Sequence, residues 1–227
     1  MTDEVRIATV EIAGPGRNLL NPEVLGNIEQ GIRDAAADTT VAGIVLIGSG
    51  DDAFCGGLDV PAIKAGADPV PFYEGLISIL KLLPALPKPV VAAVNGDALA
   101  GGAGFVAAAD YVVSVPDAKI GSYEVSVGVW PIVAQVPLVK RLGVRAAMEN
   151  IVPGEPFTAE RAKEVGLVND IVPVVQLRET AEEWLRKAAR GGATVAGGRP
   201  SLYEVDAMSY NDALDAALTR ITAAYQQ

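Results

Sequence analysis

Three stretches of this chain are apolar almost without interruption: VAGIVLIGS (41–49), KPVVAAVNG (88–96) after its first residue, and YVVSV (111–115). A strand with one wet face alternates apolar and polar residues. A continuous run of branched residues has to be covered on both faces. The segments between these runs carry helical signals instead. PVPFYEGLISILKLLP (69–84) and GGAGFVAAA (101–109) read as helices. Buried strands alternating with helices make an α/β fold built on a parallel sheet.

The remaining elements fit around that frame. VRIATVEI (5–12) alternates and reads as a first strand. NPEVLGNIEQGIRDAAAD (21–38) reads as a helix, with Asn21 as N-cap and Pro22 in the first turn. GPGRNLLN and GDDAFCGGLDV read as loops. From about residue 134 the pattern is helical, interrupted by one strand-like piece, LVNDIVP. GGATVAGGRP (191–200) reads as a linker, which divides a core (1–190) from a C-terminal linker and helix (191–227).

Composition removes several function classes. The net charge is −10 and no dense Lys/Arg cluster occurs, which disfavours nucleic acid and anionic membrane as partners. No run is long and apolar enough to span a bilayer. The acidic start, MTDEVRIATVEI, lacks the basic and apolar regions of a signal peptide, so a cytoplasmic location is expected. The chain has one cysteine, Cys55, and no histidine. An intrachain disulfide, a cysteine-cluster metal site, a Ser-His-Asp triad and a His-ligated metal are therefore all excluded, and no metal site is expected. Acid–base work falls to carboxylates, Tyr, Lys or the backbone.

Two glycine-rich turns follow buried strands and open helices: AFCGGLDV (53–60) and VNGDALAGG (94–102). Each reads in more than one way. Glycine there can simply allow a tight turn and close helix–sheet packing. It can also let a ligand oxygen reach unpaired N–H groups at a helix N-terminus, as an oxyanion hole requires. A phosphate cradle is a third reading, although neither GxGxxG nor GxxxxGK[ST] occurs in VNGDALAGG. Two such turns together offer a convergent pair of donors.

The segments FCGGLDV, LPKPVVAAVNGDALAGGAGFVAAADYVV, GSYEVSVGVWP and GEPFTAERAKEVGLVNDIVP, with the earlier GRNLLNPEVLGNIEQGI, closely resemble the crotonase superfamily, the enoyl-CoA hydratase/isomerase family. The resemblance runs over roughly residues 5–190 in the family's order and spacing. It implies a spiral of repeated ββα units with C-terminal helices that pack trimers, and pairs of trimers forming hexamers. It also implies an acyl-CoA thioester substrate whose C=O is polarised by two backbone N–H groups. By position these belong to Leu58 and Gly101. Coenzyme A is then part of the substrate, and no separate cofactor is expected.

Hydratases of this family carry two glutamates. At the first position this chain has Gly104; at the second it retains Glu124. Hydration of a C2=C3 bond employs two carboxylates. Moving a double bond from C3=C4 to C2=C3 needs a single base that takes a proton from C2 and returns it at C4. The resemblance therefore implies an isomerase-type proton transfer with Glu124 as base. A catalytically weak acyl-CoA-binding protein and a slow hydratase are the alternatives. Gly57, Asp59, Asp97, Gly102 and Trp130 are the expected substrate-binding positions, with Trp130 in an apolar acyl-pocket wall. Asp59 and Asp97 also read as cap or turn residues, Tyr123 as pocket or core, and Arg17 and Lys64 as phosphate contacts or solvated charges.

Overall fold

The computed structural model describes residues 5–225. Its strands are β1 (Arg6–Ile12), β2 (Val41–Gly48), β3 (Ala53–Cys55), β4 (Val90–Val94), β5 (Asp97–Leu99), β6 (Tyr111–Ser114), β7 (Lys119–Gly121), β8 (Phe157–Thr158) and β9 (Asp170–Ile171). Its helices are α1 (Pro15–Asn18), α2 (Pro22–Ala37), α3 (Val60–Lys64), α4 (Val70–Ala85), α5 (Gly101–Ala108), α6 (Gln135–Ile151), α7 (Ala159–Glu164), α8 (Val174–Ala189), α9 (Gly192–Asp206) and α10 (Tyr210–Tyr225).

The three apolar runs form the centre of an all-parallel five-stranded sheet, ordered β1-β2-β4-β6-β9. Ile44, Val45 and Leu46 are successive residues, so they point to opposite faces, and all three are completely buried. Helix α8 lies across β2, β4 and β6 and buries Leu177, Ala181 and Leu185, while its Trp184 stacks on Tyr111 with ring centroids 4.8 Å apart. Asn21 caps α2 by accepting a 2.9 Å bond from the Val24 N–H, as expected from the sequence.

A second, four-stranded sheet is ordered β3-β5-β7-β8. Its strands are two or three residues long, too short to show periodicity, and AFC and DAL lie in stretches that read as loop or turn. Each central strand of the large sheet is thus followed by a short strand in the small one and then by helical structure: β2–β3, β4–β5, β6–β7. This is the repeated ββα spiral.

The C-terminal region departs from expectation. Residues 192–200 are not a linker but the first part of α9, with Gly191 as its N-cap, and Arg199 within it is buried. Its guanidinium donates to Asp110 Oδ2 at 2.7 Å and to the carbonyls of Leu83 (2.8 Å), Leu86 (2.6 Å) and Pro84 (3.2 Å). Those carbonyls lie at the C-terminal end of α4, where helical bonding leaves acceptors free. Tyr203, one turn on, donates to Asp110 Oδ1 at 2.7 Å. The glycines of GGATVAGGRP concealed a helix that is held by long-range polar contacts rather than by propensity.

Arg199→Ala leaves the Asp110 carboxylate without its buried countercharge and is expected to lower stability by about 3–5 kcal/mol in urea unfolding. A change below about 1 kcal/mol would mean that this clasp does not hold α9. Burial, then the charge and hydrogen bond of Asp110, push the Tyr203 phenol up from its ordinary 10.0 to about 12. An acid harder to ionise folded than unfolded supports the fold below its unfolded pKa and loses that support as pH rises. Stability is therefore expected to fall between pH 10.0 and about 12, less steeply in Tyr203→Phe.

Candidate active site

The two glycine turns meet. Leu20 and Leu58 form a parallel bridge in which the Leu20 N–H donates to Gly57 O at 2.8 Å and the Asp59 N–H to Leu20 O at 2.9 Å. This pattern engages the residues on either side of Leu58 and leaves the Leu58 N–H itself without a backbone acceptor among the described residues. The N–H of Gly101 is the first of α5, and helix geometry gives it no intrahelical acceptor. A Cβ placed on Gly57 would lie 3.6 Å from the Gly101 nitrogen and only 2.7 Å from the Ala100 Cβ. Such contact needs glycine, and so does the φ of +94° at Gly57.

Ala100 carries the strain of the second turn. Its φ of +51° is uncommon for a residue with a side chain, at a cost of about 1–3 kcal/mol. It is held there by its own N–H, which donates to Gly121 O at 3.0 Å. Helix α5 then runs GGAGFVAA with every residue buried. The small side chains are what let a helix pass this close to its neighbours: a Cβ on Gly102 would sit 2.5 Å from Cys55 O.

That same Gly121 leads to the carboxylate. Leu99 pairs with Gly121 between β5 and β7, and Glu124 opens a 3₁₀ turn (Glu124–Val127) three residues later. Glu124 is half-buried. Its Oε2 accepts from Ser122 Oγ at 2.5 Å and from the Tyr123 N–H at 3.0 Å. Both bonds fall on one oxygen, which fixes the carboxylate and leaves Oε1 without a hydrogen-bond partner among the described residues. The Tyr123 phenol is pushed up by burial and by the charge of Glu124, partly offset by Arg17.

Asn150 was not legible as part of this arrangement. It reaches from α6, fully buried, to donate to Ser122 O at 2.8 Å and accept from the Ser122 N–H at 2.8 Å. It also donates to Glu155 O at 2.8 Å. Asn150 thereby sets the backbone of the residue that holds Glu124. The one available signal was a polar residue between apolar ones on the buried face of a helix.

The other expected positions divide. Gly57 and Gly102 line the contact between the two turns. Asp59 caps α3, accepting from the Ala62 N–H at 3.0 Å. Asp97 is committed to structure, pairing with Arg17 at 2.6 Å and accepting from the Lys119 N–H at 2.8 Å. Trp130 does not form an apolar wall: it is 51% exposed and donates to Gln135 Oε1 at 3.0 Å. Ile132, itself 70% exposed, and Val133 of the same segment line an open apolar groove. Lys64 is exposed. Among the described residues no cluster of His, Cys, Asp and Glu fits a metal ion, and no helix is long and apolar enough to cross a membrane.

The chain is similar to known proteins over most of its length. Residues 2–199 match the family described as enoyl-CoA hydratase/isomerase. The short-chain-enoyl-CoA hydratase of Clostridium acetobutylicum is 31% identical over 188 residues, 81% of this chain and 72% of that enzyme. The peroxisomal bifunctional enzyme of Cavia porcellus is 33% identical over 176 residues, 76% of this chain but only 24% of that longer enzyme. A crystal structure of enoyl-CoA hydratase from Mycobacterium smegmatis superimposes with a TM-score of 0.85 at 29% identity, covering 95% of this chain and 85% of that one. The chain belongs to the enoyl-CoA hydratase/isomerase family of the crotonase superfamily. It is an enzyme of that family, whose members act on acyl-CoA thioesters.

Cys55, although it sits in the first turn, is completely buried, and that burial pushes its thiol up to about 12. A thiol in this state is a poor nucleophile. Titration with a chromogenic disulfide at pH 8 is expected to find no reactive thiol in the native protein and one after denaturation. Rapid reaction of the native protein would contradict the packing of Cys55 against Gly102.

Proposed function

We propose that this enzyme is an enoyl-CoA isomerase that uses one carboxylate. The observation that carries the reading is the pairing of a fixed, half-buried Glu124 with Gly104 at the other position where hydratases of the family hold a glutamate. The thioester C=O of a 3-enoyl-CoA accepts hydrogen bonds from the N–H groups of Leu58 and Gly101. The Glu124 carboxylate, through Oε1, removes a proton from C2. The C–H electron pair becomes a C1=C2 bond and charge moves onto the thioester oxygen, where the two donors stabilise it. Collapse of this dienolate forms C2=C3 while C4 takes the proton back from Glu124. Atoms and electrons balance with no co-reactant, so coenzyme A enters only as part of the substrate.

With Gly104 in place of a carboxylate, no second group orients water for addition, which argues against efficient hydration. The oligomer belongs to the same reading. Leu214, Leu218 and Ile221 of α10 are more than half exposed at helical spacing, which supports a trimer, or a hexamer of two trimers, built through this helix. The acidic composition supports a cytoplasmic enzyme.

Two measurements test the reading: conversion of 3-enoyl-CoA to 2-enoyl-CoA, and solvent deuterium incorporation at C2 of a saturated acyl-CoA. The wild type is expected to perform both, and Glu124→Gln neither. Gly101→Pro removes one donor at a first helical position, where proline is tolerated, and is expected to lower turnover about 100- to 1000-fold in a folded variant. Undiminished turnover in that variant would refute the oxyanion assignment. Acyl-CoA binding without exchange in the wild type would make the protein a binder on this scaffold.

A further inference from the structure

The carboxylate of Glu124 is held asymmetrically. An ionised carboxylate oxygen offers two lone pairs. On Oε2 both are engaged, by the Ser122 hydroxyl at 2.5 Å and by the Tyr123 N–H at 3.0 Å. Neither donor has another acceptor among the described residues. A proton arriving on Oε2 would meet two donor hydrogens. The proton that Glu124 carries between C2 and C4 therefore belongs on Oε1.

Both donors are held from behind. Ser122 is completely buried. Its C=O and the Tyr123 N–H belong to one planar peptide and point in opposite directions. Asn150 donates to that C=O at 2.8 Å, and its grip aims the Tyr123 N–H at Oε2. The Asn150 amide packs so closely that a Cβ on Gly121 would lie 2.7 Å from its Oδ1. On the other side, the Ser126 hydroxyl and N–H both donate to Tyr123 O, at 2.7 Å and 3.0 Å. This backbone is not free to follow a turning carboxyl. The Ser122 hydroxyl is the one donor to Oε2 that a side-chain substitution removes.

The last torsion of a glutamate is soft, with a broad two-fold profile. A half-turn about Cγ–Cδ exchanges the two oxygens and carries the proton away from the substrate. We propose that Ser122 is the positioning residue that blocks this turn, keeps the transferred proton on Oε1 and so makes the C2-to-C4 transfer intramolecular. The C2–H bond breaks, its hydrogen bonds to Oε1 as a proton, and the same hydrogen leaves Oε1 as the C4–H bond forms. The inference rests on the isomerase reading above. It adds which oxygen carries the proton, and what returns that proton before it exchanges with water.

The test supplies the full chain with 3-enoyl-CoA deuterated at C2, in ordinary water, and reads deuterium at C4 of the 2-enoyl product by NMR. The wild type is expected to deliver deuterium to C4. Ser122→Ala keeps the Asn150 bonds, which go to the Ser122 main chain, and is expected to fold. Without the hydroxyl, kcat should fall about tenfold. The share of product with deuterium at C4 should fall by at least about half, because the returning proton is no longer aimed. KM should stay within about twofold, since a completely buried side chain touches no substrate. Ser122→Cys fills the same space with only a weak donor and should lower the deuterium share in the same way. A lower kcat with the deuterium share unchanged would make Ser122 merely structural and overturn the proposal. So would complete loss of the deuterium to water in an active wild type. A wild type that neither converts 3-enoyl-CoA nor loses deuterium from C2 would overturn the isomerase reading, and this inference with it.

Discussion

The hydrogen bond from Ala100 N to Gly121 O joins the two halves of the site. On one side it holds Ala100 in a strained conformation and so directs the first N–H of α5. On the other it anchors the end of β7, from which the chain turns into Glu124 three residues later. In the proposed reaction a donor meets developing charge and a base meets a proton, and the two need a fixed separation. Here one main-chain contact between two very short strands sets it. Asn150, buried behind Ser122, locks the same segment from α6.

The surrounding packing serves that contact. Glycine at positions 57 and 102 allows the first turn to lie directly against Ala100 and the start of α5. The long parallel strands carry both turns at their C-terminal ends, which is where open α/β sheets place ligands. Asp59 and Asp97 hold turns together, so the proposed reaction relies on two backbone N–H groups and on Glu124.

The opposite end of α5 has its own constraint. Asp110 receives Arg199, Tyr203 and the Val90 N–H, so the start of β4, the end of α5 and the C-terminal helix α9 converge on a single carboxylate. A buried ion pair of this kind adds less to net stability than its contacts suggest. Its effect is positional: it decides where α9 lies against the C-terminal end of α4.

The sequence by itself determined the long strands, the helices α2, α4 and α5, the Asn21 cap and the positions of both glycine turns. Each of these rests on local periodicity or on a residue type with a narrow conformational role. It also carried the identity of the family and the Gly104–Glu124 combination on which the proposed reaction rests, because those are matters of residue type at a position. Tertiary structure decided the rest. The strands AFC, DAL and KIG are too short to have a period, and exist because neighbours supply their hydrogen bonds. GGATVAGGRP has weak helix propensity and is helical because Arg199 finds Asp110, 89 positions away in the chain. Trp130, an apolar residue by type, lies half-exposed because its indole N–H is drawn to Gln135 rather than into a core. Contacts between distant residues leave no periodic trace in a chain, and for that reason only the folded molecule could reveal them.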